Sequence, residues 1–172
     1  MKFSTKARYG LRMMVELARL LREKPLVPLV EIADITGVSA NYLAQLAMPL
    51  RHAGLLVGVS GQKGGYALGR PAEDIHLNEI LEALQGPIAL TDCSGNPDLC
   101  LYAPFCETRM IWVIAAHKMR KVFEEHSLAD LIDQDFRKKT QEKFKDLPQL
   151  IPDIRESDGQ APHACTLPSA RK

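Results

Sequence analysis

The 172-residue chain has no apolar run approaching the roughly 18 residues that a membrane-spanning helix needs. It lacks the marks of common catalytic centres as well. No glycine-rich phosphate loop leads into a helix with Lys-Ser/Thr, no serine, histidine and aspartate form a plausible triad, and no histidine-rich metal motif occurs. The five histidines (His52, His76, His117, His126 and His163) are scattered. There is no internal repeat. The first residues, MKFSTKARYGLRMMVELARLL, are not expected to be a signal peptide, because Arg8, Arg12, Glu16 and Arg19 interrupt the apolar positions at helical spacing. These absences lead to the expectation of a cytoplasmic protein with no membrane partner, not an enzyme, whose thiols stay reduced.

Net charge is also scarce, only +1. Its distribution is uneven. Residues 1–70 hold ten lysines and arginines against four acids, and the remainder holds 12 against 17. A basic N-terminal half on a near-neutral chain points to a local surface for a polyanion. The length allows one large domain, or one ordinary domain with an appendage.

The pattern is mainly helical. Ser4 or Thr5 can cap a helix running to about Glu23, with Ala7, Leu11, Met14, Val15, Ala18 and Leu21 as its apolar stripe. A pair of short helices follows. The first, about 29–35, is expected to bury Val30, Ile32, Ala33 and Ile35, and Gly37 to end it in a left-handed conformation. Ser39 caps the second, whose Tyr42, Leu43, Leu46 and Leu50 face inward, with a kink or early stop at Pro49. Residues 55–60 and 65–70 read as a β-hairpin around SGQKGG, with Lys63 at the tip. An amphipathic helix over 76–86 carries Ile80, Leu81 and Leu84 and stops at Gly86-Pro87.

A longer helix from about Glu107 to His126 is apolar almost all round in its first half, which calls for a partner helix, most simply from a second copy. Ser127 caps LADLI, with Asp130 three residues on as a capping-box acid, and a polar helical stretch then reaches about Lys145. The last 27 residues, with four prolines and no period, are expected to form a flexible tail. The expected organisation is a winged helix-turn-helix over 1–86, a cysteine-rich loop over 87–106, dimerisation helices over 107–145 and a tail over 146–172.

A helix pair of this kind reads DNA when the turn is permissive and the second helix offers polar groups to the major groove. Gly37 supplies the turn and Ala33 a small residue at the crossing. Ser39, Asn41 and Gln45 offer donors and acceptors, Tyr42 packs or reaches a phosphate, and Arg51 lies near the helix end. The hairpin serves as a wing, with Gln62 and Lys63 at phosphates or in a minor groove. The competing readings are a helical hairpin that is only core and a winged helix used for protein contacts.

Three stretches carry a specific resemblance: MKFSTKARYGLRMMVELA, SANYLAQLAMPLRHAGLL, and GQKGGYALGRP followed by IHLNEILEAL. Over about residues 1–132 the chain resembles the Rrf2 family, bacterial winged-helix repressors and activators that include the IscR, NsrR and RirA types. The resemblance implies a homodimer joined through the long helix and bound to a roughly palindromic double-stranded DNA operator. In many members, three cysteines before that helix hold an iron–sulfur cluster that controls DNA binding.

Those cysteines have counterparts here. CSGNPDLCLYAPFC places Cys93, Cys100 and Cys106 on a segment rich in turn residues, with six and then five residues between them. An iron–sulfur cluster wants thiolates on irregular backbone of this kind. A zinc site would want a fourth protein ligand, a disulfide is disfavoured by compartment but open as a thiol switch, and inert thiols are the blandest reading. In one subgroup of the family a histidine lies three residues past the last cysteine; here Arg109 stands there and cannot ligate iron. In another subgroup a carboxylate near the start of the first helix reaches across from the partner, and the corresponding place here is about Arg8.

Glu107, Asp92, a backbone or solvent group, or a small exogenous molecule remain as the fourth ligand. His117, His52 and Cys165 are poorly placed for it. This favours a 4Fe–4S cluster on three cysteines over a histidine-ligated 2Fe–2S. Ala44 stands where the first subgroup has an operator-tuning glutamate, so that subgroup's operator preference does not carry over. The expected function is a transcriptional regulator whose DNA binding follows iron or cluster status, oxygen or nitric oxide. The alternatives are a cluster-free member controlled by a bound metabolic enzyme or a thiol switch and, more remotely, an electron-carrying subunit.

Overall fold

The computed structural model describes residues 3–61 and 64–144. Gln62 and Lys63, expected in the wing, and residues 145–172, which include the expected tail and Cys165, lie outside the described residues. No helix among the described residues is long and apolar enough to cross a membrane.

Helix α1 (Thr5–Leu20) starts where Ser4 turns extended and its hydroxyl accepts the Ala7 N–H at 3.1 Å. That satisfies one of the donors that a helix start leaves orphaned. The helix stops at Leu20, short of the expected Glu23, and its buried face is Ala7, Gly10, Met13, Met14, Leu17 and Ala18. Leu11, Val15 and Leu21, expected on the stripe, are only half-buried. The cause is Gly10, where an added Cβ would lie 2.3 Å from Leu84 Cδ1. A neighbouring helix comes in over the glycine and draws the buried face toward it.

Helices α2 (Leu29–Thr36) and α3 (Ala40–His52) form the helix-turn-helix. Only Ile32 and Thr36 of α2 are buried, with Leu29 and Ala33 half-buried, a line at three- and four-residue spacing. Val30 at 60% and Ile35 at 37% exposure lie off that line, contrary to expectation, because so short a helix offers the core one edge. The Thr36 hydroxyl donates to the Ile32 carbonyl at 2.6 Å. Gly37 then takes φ 68°, and its N–H bonds to the Ala33 carbonyl at 2.8 Å. Ser39 caps α3 as expected, accepting from the Tyr42 N–H.

Leu43, Leu46, Ala47 and Leu50 bury one side of α3, while Tyr42 is half-buried, edge-on to Tyr9. Pro49 does not end the helix, which runs on to His52. A proline inside a helix costs about 3 kcal/mol, and burial of Leu46 and Leu50 on either side, at about 2 kcal/mol apiece, holds the last turn.

Strands β1 (Leu56–Val59) and β2 (Gly65–Leu68) pair antiparallel, from Leu56 opposite Leu68 to Val59 opposite Gly65. Buried Val27 adds a bridge that sequence periodicity does not announce, exchanging two backbone hydrogen bonds with Tyr66 at 3.0 and 2.9 Å. The glycines of GGYALG are there for clearance. A Cβ on Gly65 would lie 2.8 Å from the Val27 carbonyl carbon, and one on Gly69 only 2.1 Å from the Gly54 carbonyl oxygen.

After a 3-10 turn (Ala72–Asp74), helix α4 (Leu77–Gln85) packs against α1 and α3 on one side and against the long helix on the other. Glu79 accepts the His76 N–H at 3.1 Å and pairs with Arg70, and Gly86 at φ 83° ends the helix. The chain continues through α5 (Asp92–Gly95) and 3-10 turns at Pro97–Leu99 and Ala103–Phe105 into α6 (Glu107–Glu124). Two backbone bonds, Leu77 N–H to the His126 carbonyl and Leu128 N–H to the Ile75 carbonyl, tie the end of α6 to the start of α4.

Ser127 caps α7 (Leu128–Ile132), paired with Asp130 in a capping box. The polar helical stretch expected to follow is a separate helix. Asp133 accepts the Asp135 N–H at 3.1 Å, a side-chain turn that competes with the helix, and α8 (Phe136–Lys143) starts afresh.

Gly69→Ala forces a methyl into the Gly54 carbonyl. Thermal unfolding is expected to fall by roughly 3–8 °C, the cost of a 1–3 kcal/mol overpacking in a chain of this size. An unchanged midpoint would show that the wing does not need this close approach.

Candidate nucleic-acid interface and cysteine loop

Opposite its buried side, α3 presents Asn41, Gln45, Met48 and His52 on one exposed stripe. Two of the expected base-reading residues, Asn41 and Gln45, therefore share a face one turn apart. Ser39 is exposed, and its hydroxyl is engaged in capping. Tyr42 is held by Tyr9, whose ring lies 5.9 Å from the Arg8 guanidinium, so an exposed cation sits behind the start of α3. Arg51 is exposed and lies against the wing: a Cβ on Gly58 of β1 would be 3.6 Å from its guanidinium carbon. Met48, Arg51, His52, Leu56, Val57 and Gly58 line a groove between α3 and the first wing strand. Gln62 and Lys63 lie outside the described residues.

The cysteine loop is built from single turns. Thr91 precedes α5, its N–H bonded to Ser94 Oγ at 3.2 Å, and its hydroxyl lies 3.4 Å from Cys93 Sγ. Asn96 accepts the Asp98 N–H at 3.1 Å and starts the turn at Pro97. Cys100 follows, and its carbonyl takes the Ala103 N–H at 3.0 Å. Cys106 stands immediately before α6. All three thiols are free and half-buried. Ala103 is the buried residue between the second and third cysteines, while Leu99, Leu101, Tyr102 and Phe105 are 65–95% exposed.

Cys106 is the chemically distinct thiol. The Thr108 hydroxyl at 3.2 Å, then the Arg109 backbone N–H, and more weakly the Arg109 positive charge, favour its thiolate and hold its pKa below the ordinary value. Arg109 itself does more than fail to be a ligand, for its Nε donates to the Cys93 carbonyl at 2.8 Å. Of the other candidate ligands, Asp92 and Glu107 are exposed at the starts of α5 and α6, and His117 is exposed on α6. Among the described residues, no three His, Cys, Asp or Glu side chains converge into a ready metal cage. The donor set nonetheless fits the chemistry of an iron–sulfur cluster: three free thiols on one loop, one biased to thiolate.

A helix-turn-helix followed by a two-stranded wing and a long helix is the architecture of a winged-helix regulator, a class that binds DNA. Residues 3–134 match the Rrf2 family, described as iron-dependent transcriptional regulator. The chain belongs to this family. It is 37% identical to protein rrf2 of Nitratidesulfovibrio vulgaris over 132 residues, 77% of this chain and 87% of that one. Solved structures of similar proteins include CymR, the global cysteine regulator of B. subtilis, at 34% identity and TM-score 0.63, covering 77% of this chain and 96% of that one. IscR of T. potens is similar at 32% identity and TM-score 0.62, covering 83% and 90%.

In metal-free protein, alkylation of Cys106 by iodoacetamide is expected to rise with pH through a midpoint below the ordinary thiol range. Thr108→Val removes the largest cause and moves that midpoint up. Identical profiles for the two proteins would remove the hydroxyl from the account.

Proposed function

We propose that the chain is a homodimeric, cytoplasmic, DNA-binding transcriptional regulator whose hold on its operator follows an iron–sulfur cluster bound by Cys93, Cys100 and Cys106. The observation that carries this reading is three free, half-buried thiols on one loop that packs against the start of a helix with an uncovered apolar face. Asn41 and Gln45 meet base edges, Ser39 and Arg51 lie at the backbone, Tyr42 orients the start of α3, and Gln62 and Lys63 extend the contact through the wing. On α6, Met110, Ile111, Trp112 and Ile114 are 44–62% exposed, far more apolar surface than a solvated helix carries. A second copy covers it.

When bound, a cluster supplies iron–thiolate bonds that respond to redox state and small oxidants. The residues do the rest. The loop hands its three thiols over from single turns, α6 receives the loop at its first turns, and contacts with α4 near the other end of α6, such as Arg120 with Glu82, connect it to the DNA-reading helices. Two recognition helices must sit roughly 34 Å apart to meet successive major grooves, so a small displacement at α6 changes the fraction of competent dimers. The protein is a regulator in this reading, not an enzyme.

The second reading is a cluster-free regulator controlled by a partner protein, favoured by the exposed Leu101 and Phe105 and by the similarity to a cysteine regulator. Purified without oxygen, the protein is expected to be coloured and to change operator affinity when the cluster is removed, and Cys100→Ala to abolish the chromophore. A colourless, iron-free protein that binds the same DNA equally well would leave the partner-controlled reading standing. Ile111→Asp is expected to convert the dimer to monomer in sedimentation at micromolar concentration; a dimer that persists would move the interface elsewhere.

A further inference from the structure

Two local rules are broken in the cysteine loop, and they are broken at the same contact. The first concerns Cys93. In a helical turn its carbonyl would accept from the N–H of the fourth residue on, but that residue is Pro97, which has none. The second concerns Arg109, the third residue of α6. The first turn of a helix disfavours a cation, because the macrodipole and the free N–H groups already make it positive. Arg109 Nε bonds the Cys93 carbonyl at 2.8 Å, so the donor that Pro97 withholds arrives from 16 residues away. The guanidinium is thereby held as a cation against the Cys93 turn, in the first turn of the helix that Cys106 precedes. One side chain thus joins the turn of the first cysteine to the helix that follows the last.

We infer that Arg109 is the positioning residue of the cysteine loop, latching the Cys93 turn onto α6 and setting a fixed cation beside the thiols in place of a fourth protein ligand. The latch belongs to the metal-free protein. The role of the charge rests on the cluster reading proposed above, because a cluster on three thiolates carries negative charge that a neighbouring cation offsets. A hydrogen bond of this kind also joins the loop to the helix whose position the operator senses. It is the one side-chain hydrogen bond between the turn carrying Cys93 and α6 among the described residues.

The test uses the full chain with Arg109→Met, Arg109→Gln and Arg109→Lys. Gln keeps a donor without the charge, and Lys keeps both in part. In metal-free protein, amide hydrogen exchange over residues 91–102 is expected to accelerate roughly tenfold in the Met variant, the effect of losing one charge-assisted hydrogen bond, and less in Gln and Lys. After anaerobic cluster loading, the reduction potential is expected to fall in Gln and Met and to be restored in Lys. Exchange in the Met variant equal to wild type would overturn the latch. A potential indifferent to all three substitutions in loaded protein would overturn the role of the charge. If the wild-type protein takes up no iron at all, the cluster reading fails, and the exchange result still decides the latch.

Discussion

Leu84 of α4 sits where Gly10 of α1 has no side chain. That close approach is the constraint on which the arrangement rests. It draws α4 against α1 and sets which side of α1 is buried. It also leaves α4 in contact with three neighbours: α1, the recognition helix α3 and the long helix α6. Glu82 of α4 takes the Arg120 guanidinium of α6 at 2.8 Å, and this pairing raises the Arg120 pKa. The Phe3 and Phe123 rings meet edge to face at 5.4 Å across the same seam. The helix-turn-helix and α6 therefore share one nine-residue helix as a common neighbour.

Much of this was legible in the chain. Ser4, Ser39 and Ser127 start helices, Gly37 and Gly86 end them, and each does so by a local rule that needs no tertiary information. The failures are equally specific. A hydrophobicity pattern cannot score Gly10 as core, because its contribution is the absence of a side chain. Val30 and Ile35 are apolar and helical, yet they face out because α2 offers the core one edge. Pro49 is tolerated by burial that its neighbours supply from outside the helix. Val27 pairs with Tyr66 from a stretch too short to show any period.

The site divides the same way. Asn41 and Gln45 share one face by helical spacing alone, whereas Arg51 meeting Gly58 requires the wing to fold back. For Arg109, the signal was present in two pieces that a linear reading keeps apart: Pro97 four residues after Cys93, and a cation in the first turn of a helix. The loop buries little; Leu101 is 95% exposed and Phe105 86%. Its shape depends on caps and turn bonds more than on burial. Segments held in that way open at low free energy while the core stays closed.

The bond between Arg109 and Cys93 has a consequence in chain statistics. It ties two points 16 residues apart, which is the span over which a small protein would often set a disulfide. A disulfide narrows the conformations of such a segment permanently and consumes two sulfurs. A guanidinium on a carbonyl narrows them reversibly and consumes none. The loop is thereby partly closed while every one of its cysteines stays reduced and available.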